Sequence, residues 1–199
     1  MAAGLRKDLL IAVIAIVAMT VVLGLLYPLA ITGISQVAFP RAANGSKVTI
    51  DGKVVGSHLI GQEFKGKGYF HSRPSATEYS GDVTFFGNVG PNSTEGREEV
   101  RKALAAYVKL NKPYFPALTR ADVPVDAVTQ SASGVDPQIS EANAEIQAHR
   151  IAAIRHLPLE RVEELISDNT DSRSLGVLGE PGVNVLELNI ALDEEAPLK

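Results

Sequence analysis

Few side chains in this sequence are suited to chemistry, and they cluster in the middle of the chain. Ser131 and Ser133 lie in Thr129-Gln130-Ser131-Ala132-Ser133-Gly134. A hydroxyl nucleophile needs a base and a group to orient that base. Histidine and aspartate are present, but there is no Gly-x-Ser-x-Gly turn to expose the serine. Glu145, His149 and His156 are spaced four and then seven residues apart, which puts them on one face of a helix. That face suits a metal or water equally well, and the His-Glu-x-x-His pattern of a zinc protease is absent. The chain has no cysteine, which removes thiolate metal sites, disulfides and cysteine nucleophiles. The segment from Thr129 to Gly134 precedes a helix start, where backbone N–H groups and the helix dipole favour an anion. It holds no lysine and no phosphate-loop pattern. Ser, Gly and Asp136-Pro137 also serve simply to make the turn and cap the helix. Arg73, between Tyr69-Phe70 and Pro74-Ser75, suits two roles: anchoring a partner or carboxylate, or tying down its own loop.

The elements that must position these groups read as a mixed α+β domain. Val48 to Val55, with Asp51-Gly52 at its centre, predicts a β-hairpin, because a type I′ turn needs positive φ at both central residues. Gly and Pro crowd residues 56–91, which argues for turns and short strands. Val100, Leu104 and Tyr107/Val108 predict a helix from Ser93 or Thr94 to about Leu110, stopped by Pro113 and Pro116. Ser140 is a good N-cap for a helix over Glu141–His156. Leu157-Pro158 breaks it, and Leu159, Val162, Leu165 and Ile166 predict a short amphipathic helix. Gly179 to Asn184 reads as a turn, with Glu180 as a hydrogen-bond acceptor. Leu186, Leu188, Ile190 and Leu192 alternate with Glu187, Asn189 and Ala191, which predicts a final strand.

Before the domain comes an anchor. No charged side chain occurs from Leu9 to Phe39. About twenty apolar residues suffice to cross a bilayer core of ~30 Å, and this stretch is too long for a cleaved signal peptide. Arg6 and Lys7 favour a cytoplasmic N-terminus. The expected division is therefore 1–8 cytoplasmic, 9–39 a transmembrane helix with its exit, and 40–199 a soluble extracytoplasmic domain of a cell-membrane protein. The span carries no ionisable group, so it is no ion path by itself. Thr20, Gly24 and Pro28 follow one another at i+4 and offer a close-approach face for another helix. The net charge of −4, with no basic run, excludes a nucleic-acid partner.

Four blocks in order carry a resemblance. They are Gly56-Ser57-x-Leu59-Ile60-Gly61-Gln62-x-Phe64 with Tyr69-Phe70 and Arg73-Pro74-Ser75-Ala76; Asn88-x-Gly90-Pro91-Asn92-Ser93; Val123-Pro124 to Ser140 with Gln147 and Arg150; and Leu178-Gly179-Glu180-Pro181 with Val183 to Leu186 and Leu188-Asn189. Together with the span they resemble the C subunit (KdpC) of Kdp-type potassium-transporting P-type ATPases. Where that family has a short Ser-Gly-Gly-Ser-Asn stretch, this chain has Ser80 to Asn88. The resemblance implies a non-catalytic subunit that assists assembly of an ATP-driven potassium pump. Its partners would be a potassium-channel-like subunit, a P-type ATPase subunit and a small hydrophobic subunit. The family is also described as a catalytic chaperone for nucleotide use. No firmly bound cofactor is implied. ATP contact within the complex would fall on Ser131, Ser133, Gly134 and Gln147, although an extracytoplasmic domain meets little ATP. Transmission through one conformation of the complex is the alternative. Partner contact would fall on Thr20, Gly24, Pro28 and Arg73. Two other readings stay open from the residues: a membrane-anchored hydrolase using Ser131 or Ser133, and a tethered solute-binding module.

Overall fold

A computed structural model of the chain describes residues 2–83, 88–90 and 92–198. It divides into two units, residues 1–47 and 48–199.

The first unit is helical. Helix α1 (Ala2–Met19) continues through a π-helical turn (Thr20–Leu26) into α2 (Tyr27–Ala38), and a short α3 (Pro40–Ala43) follows. Gly4–Ala38 is long and apolar enough to cross a membrane, with a mean hydropathy of 3.1 in its most apolar window. The wide turn sits directly before Pro28, which has no N–H for the carbonyl of Gly24 and whose ring crowds it. Tyr27 N–H bonds instead to Val22 O, five residues back. A Cβ added to Gly24 would lie 3.8 Å from Thr20 Cγ2, so these two residues stay neighbours on one face.

The second unit is the α+β domain. Strands β1 (Lys47–Ile50) and β2 (Lys53–Ser57) form the expected hairpin, with φ of +49° at Asp51 and +75° at Gly52. Helix α4 (Thr94–Asn111) starts where Ser93 accepts from Gly96 N–H, and α5 (Glu141–Arg155) where Ser140 accepts from Asn143 N–H. Helix α6 (Leu159–Asp168) follows Pro158. A three-stranded antiparallel sheet has β5 (Gly182–Asn184) between β3 (Gln138–Ile139) and β4 (Thr170–Asp171). Gln138 pairs with Asn184 and Thr170 with Val183. Helix α7 (Val185–Glu195) closes the domain. The core packs Ile139, Ala144, Ala148 and Ile151 against Val162, Leu165, Val183, Leu188 and Leu192, with Phe70 brought in from the irregular 58–83 region.

The expected strand over Leu186–Leu192 is a helix. Asn184 caps it by accepting from Glu187 N–H at 3.2 Å, and the pair Asn184/Glu187 has capping-box spacing. The buried residues Val185, Leu188, Asn189 and Leu192 fall at i, i+3, i+4 and i+7. The period-two reading put Asn189 on a solvated face. It is instead buried, accepting from Phe70 N–H (2.8 Å) and donating to Phe70 O (3.0 Å). A side-chain amide thus replaces a strand partner for Phe70. In the Ser80–Asn88 stretch, Thr84 to Gly87 lie outside the described residues, as does Pro91 of the second block.

Candidate functional site

The first and third sequence blocks, some sixty residues apart, are stitched together in the fold. Arg73 Nη1 meets Asp136 Oδ2 at 2.9 Å, and Ser131 N–H donates to Pro74 O at 2.9 Å. Ser75 Oγ donates to Gly134 O at 2.6 Å, and Gly61 N–H to Val135 O at 2.8 Å. Two glycines permit this closeness. A Cβ on Gly61 would lie 2.3 Å from Asp136 O, and one on Gly134 (φ +73°) 2.6 Å from Thr77 Oγ1. Beside the seam, a cavity of about 360 Å³ opens between the 63–79 segment and α4, lined by Phe64, Arg73, Tyr79, Tyr107, Leu110 and Gln147 among others. Burial, above all, pushes the Tyr79 phenol up to about 12, and its hydroxyl donates to Arg73 O. It is neutral, a hydrogen-bond donor and not a base, at physiological pH.

Behind the cavity, α5 carries a buried row of polar side chains. Asp126 accepts from Ser140 N–H (3.0 Å), Ser140 Oγ (2.8 Å) and Asn143 Nδ2 (2.9 Å). Asn143 Oδ1 accepts from Tyr107 Oη (2.8 Å) and Gln147 Nε2 (3.0 Å). Gln147 Oε1 accepts from His71 N–H (2.8 Å) and Arg150 Nη2 (2.9 Å), while its Nε2 also donates to His71 O (3.1 Å). Arg150 is fully buried; its Nε donates to Asn111 Oδ1 (3.0 Å) and its Nη1 to Tyr69 O (2.9 Å) and Lys67 O. One turn on, Arg155 donates to Gly68 O (2.7 Å) and Ala196 O (2.7 Å) and pairs with Asp193 at 2.8 Å. The row fastens the strandless 67–71 segment to a helix, since those backbone groups have no sheet to enter. Burial is also the main cause holding His71 below the usual histidine range, with Arg150 adding to it.

The residues singled out in the sequence fare differently. Ser131 is buried; its Oγ accepts from Gly134 N–H (3.0 Å) and lies 3.1 Å from Ser133 Oγ. Ser133 Oγ accepts from Val135 N–H at 3.2 Å. Among the described residues neither hydroxyl is bonded to a histidine or a carboxylate, so the pair forms turns and lacks the base a nucleophile needs. The start of α5, where a phosphate would sit, already holds the Asp126 carboxylate. Gln147 uses both ends of its amide inside the fold. Glu145 is exposed, His149 stacks on Phe115 (ring centres 4.1 Å apart), and His156 ends α5 at φ +58°. The three do not converge. Arg73 ties its own loop to Asp136, leaving its buried Nε without a partner among the described residues. Glu180 accepts from Arg173 Nη2 at 2.5 Å. Sequence reading did not assign Asp126, Asn111, Asn143 or Arg155. The signal available was polar residues at 143, 147 and 150, a helical stripe that should have been apolar.

Comparison with known proteins settles the lineage. The family profile described as the K+-transporting ATPase, c chain (KdpC), matches residues 9–194. A potassium-transporting ATPase KdpC subunit of Mycobacterium bovis (strain BCG / Pasteur 1173P2) is 46% identical over 191 residues, covering 95% of this chain and 99% of the relative. That of Koribacter versatilis is 41% identical over 196 residues, 98% of each. That of Acidobacterium capsulatum is 48% identical over 176 residues, 87% of this chain and 91% of the relative. On a match that runs from the apolar helix through α7, this chain belongs to the KdpC family of potassium-transporting ATPase subunits.

Proposed function

We propose that the chain is a non-catalytic accessory subunit of an ATP-driven, high-affinity potassium uptake complex, and that it works by contact. Its family membership over nearly the whole length carries this reading. In support, the hydroxyls, histidines and guanidinium that first suggested chemistry are engaged in caps, stacks and loop ties. A channel-like potassium-binding subunit, a P-type ATPase subunit and a small hydrophobic subunit are its partners. The helix spans the cell membrane once, the N-terminus is cytoplasmic, and the α+β domain lies outside. The chaperone effect on nucleotide use passes through the conformation of the complex, because a ligand effect needs only a difference in affinity between two states. A phosphate site at Ser131, Ser133, Gly134 and Gln147 is the less favoured route: the cap already holds a carboxylate and Gln147 has no free valence. Affinity purification of the tagged full chain from mildly solubilised membranes tests this reading. The three other subunits should be recovered with it, and ATP titrated against the chain alone should show no saturable binding. Recovery as a lone monomer would favour a tethered solute-binding module and overturn the proposal.

A further inference from the structure

His71 stands where the irregular 66–71 segment meets the buried Arg150 guanidinium, in the wall of the cavity. Its backbone N–H and Arg150 Nη2 share one acceptor, Gln147 Oε1, at 2.8 and 2.9 Å. Its ring Nε2 lies 3.0 Å from Gly66 O. A carbonyl only accepts, so Nε2 carries the proton of the neutral ring and Nδ1 is the bare nitrogen. Among the described residues Nδ1 has no hydrogen-bond partner. A proton added there would have nothing to donate to, and it would bring a second positive charge to a guanidinium that only neutral groups surround. Arg150 is met by Asn111, Gln147 and the carbonyls of Lys67 and Tyr69. Like charges this close, and partly out of water, repel strongly.

The other charged and titratable groups around His71 do not offset that repulsion. From α4 comes Tyr107, whose phenol burial pushes up and keeps neutral. On the 63–79 segment Arg73 is paired with Asp136, Glu63 lies 3.0 Å from Lys65, and Tyr79 is neutral. Glu78 is exposed, and among the described residues no carboxylate is paired with His71. We propose that His71 is an acid-operated latch between the 66–71 segment and α5: a proton taken up at Nδ1 breaks the contact that His71 and Arg150 share at Gln147 Oε1, and the cavity wall at residue 71 comes away from α5. The release is local, because Asn189 still holds both backbone groups of Phe70 and Arg155 still holds Gly68 O. The shape of the 63–79 side of the cavity then follows the acidity around the domain. The sign is fixed by burial, which with Arg150 holds the His71 imidazole below the usual histidine range. As pH falls through about 6.5 the unfolded chain takes up the proton first. The fold therefore has its full stability above that pH and loses some of it below.

The test uses the full chain in detergent micelles. Amide-exchange protection, corrected for the intrinsic rate, is compared at about pH 7.5 and about pH 5.5, on either side of the ordinary histidine value. In acid the His71 amide should lose protection several-fold more than the neighbouring Phe70 amide, which bonds to Asn189 instead. His71→Gln keeps a donor for Gly66 O without a titrating ring, and should abolish that difference. His156→Asn, at an exposed site whose φ of +58° asparagine tolerates, should keep it. In the unaltered chain the His71 imidazole, followed by NMR, should titrate below the ordinary histidine value. The latch would be overturned by an unchanged His71 amide in acid, by the same acid loss in His71→Gln, by its disappearance in His156→Asn, or by a ring that titrates at or above the ordinary value. The NMR titration decides the matter even if His71→Gln folds poorly.

Discussion

Arg150→Met is expected to lower the unfolding temperature of the domain by about 10 °C, the equivalent of roughly 3–4 kcal/mol for a domain of this size. Arg150 is fully buried and, among the described residues, has no carboxylate paired with it; its charge is met by Asn111 Oδ1, Gln147 Oε1 and the carbonyls of Lys67 and Tyr69. Burial, above all, pulls its pKa down to about 10, so it is still charged at neutral pH. Methionine fills much of the space but donates nothing, and the acceptors are left dry; each orphaned buried acceptor costs about 1–3 kcal/mol. Lysine should not rescue the loss, since one ammonium cannot reach acceptors spread over a planar fork. Thermal unfolding followed by circular dichroism reads the difference. The 67–71 segment should be the first region to lose hydrogen-exchange protection, because Arg150 and Gln147 hold its backbone. A shift of under about 2 °C would show that the polar row is not what secures this segment.

The second large effect is expected in the membrane helix. Gly24→Leu should cut recovery of the chain with its partner subunits by about tenfold or more, roughly 1.4 kcal/mol of helix–helix contact. Among the described residues nothing crowds a side chain at this position. A Cβ at Gly24 would make only an ordinary 3.8 Å contact with Thr20 Cγ2. Leucine is also the better helix former, so the span is not weakened. A loss of assembly would therefore report a neighbour packed closely on the Thr20/Gly24 face. The wide π turn and Pro28 place extra backbone irregularity on this part of the helix, and in hydrocarbon such irregularity needs protein beside it. Blue-native electrophoresis of mildly solubilised membranes gives the answer. Wild-type recovery of the Gly24→Leu complex would move the contact to another face.

Local signals in the sequence were legible where local chemistry decides the structure. Asp51-Gly52 fixed the hairpin because its two central residues must take positive φ, and Ser93 and Ser140 marked the starts of α4 and α5 because a hydroxyl there satisfies an orphan N–H. The C-terminal element was misread for a physical reason. Val185 to Leu192 fits both a two-residue and a 3.6-residue period, and the tie is broken by Asn184 capping Glu187 and by the burial of Asn189. The Asn184/Glu187 cap is a local signal that the reading passed over, whereas the burial of Asn189 is not visible without knowing where Phe70 lies. The candidate site was legible only in pieces. Arg73 and the 129–140 loop stood out separately, but their junction through Asp136 spans 63 residues, and no spacing rule reaches that far. The buried polar row was missed because Gln147 and Arg150 on a helix read as solvated side chains. Their partners are backbone groups of a segment about eighty residues earlier that has no regular structure of its own to advertise it.

As proposed, this chain supplies contacts and no turnover. Potassium-stimulated ATP hydrolysis should be measured on membranes that hold the other subunits, with and without the full-length chain, and on the purified chain alone. Hydrolysis should be low without the chain, restored when it is co-expressed, and absent from the chain by itself. Full potassium-stimulated activity in its absence, or ATP turnover by the isolated chain, would contradict the account.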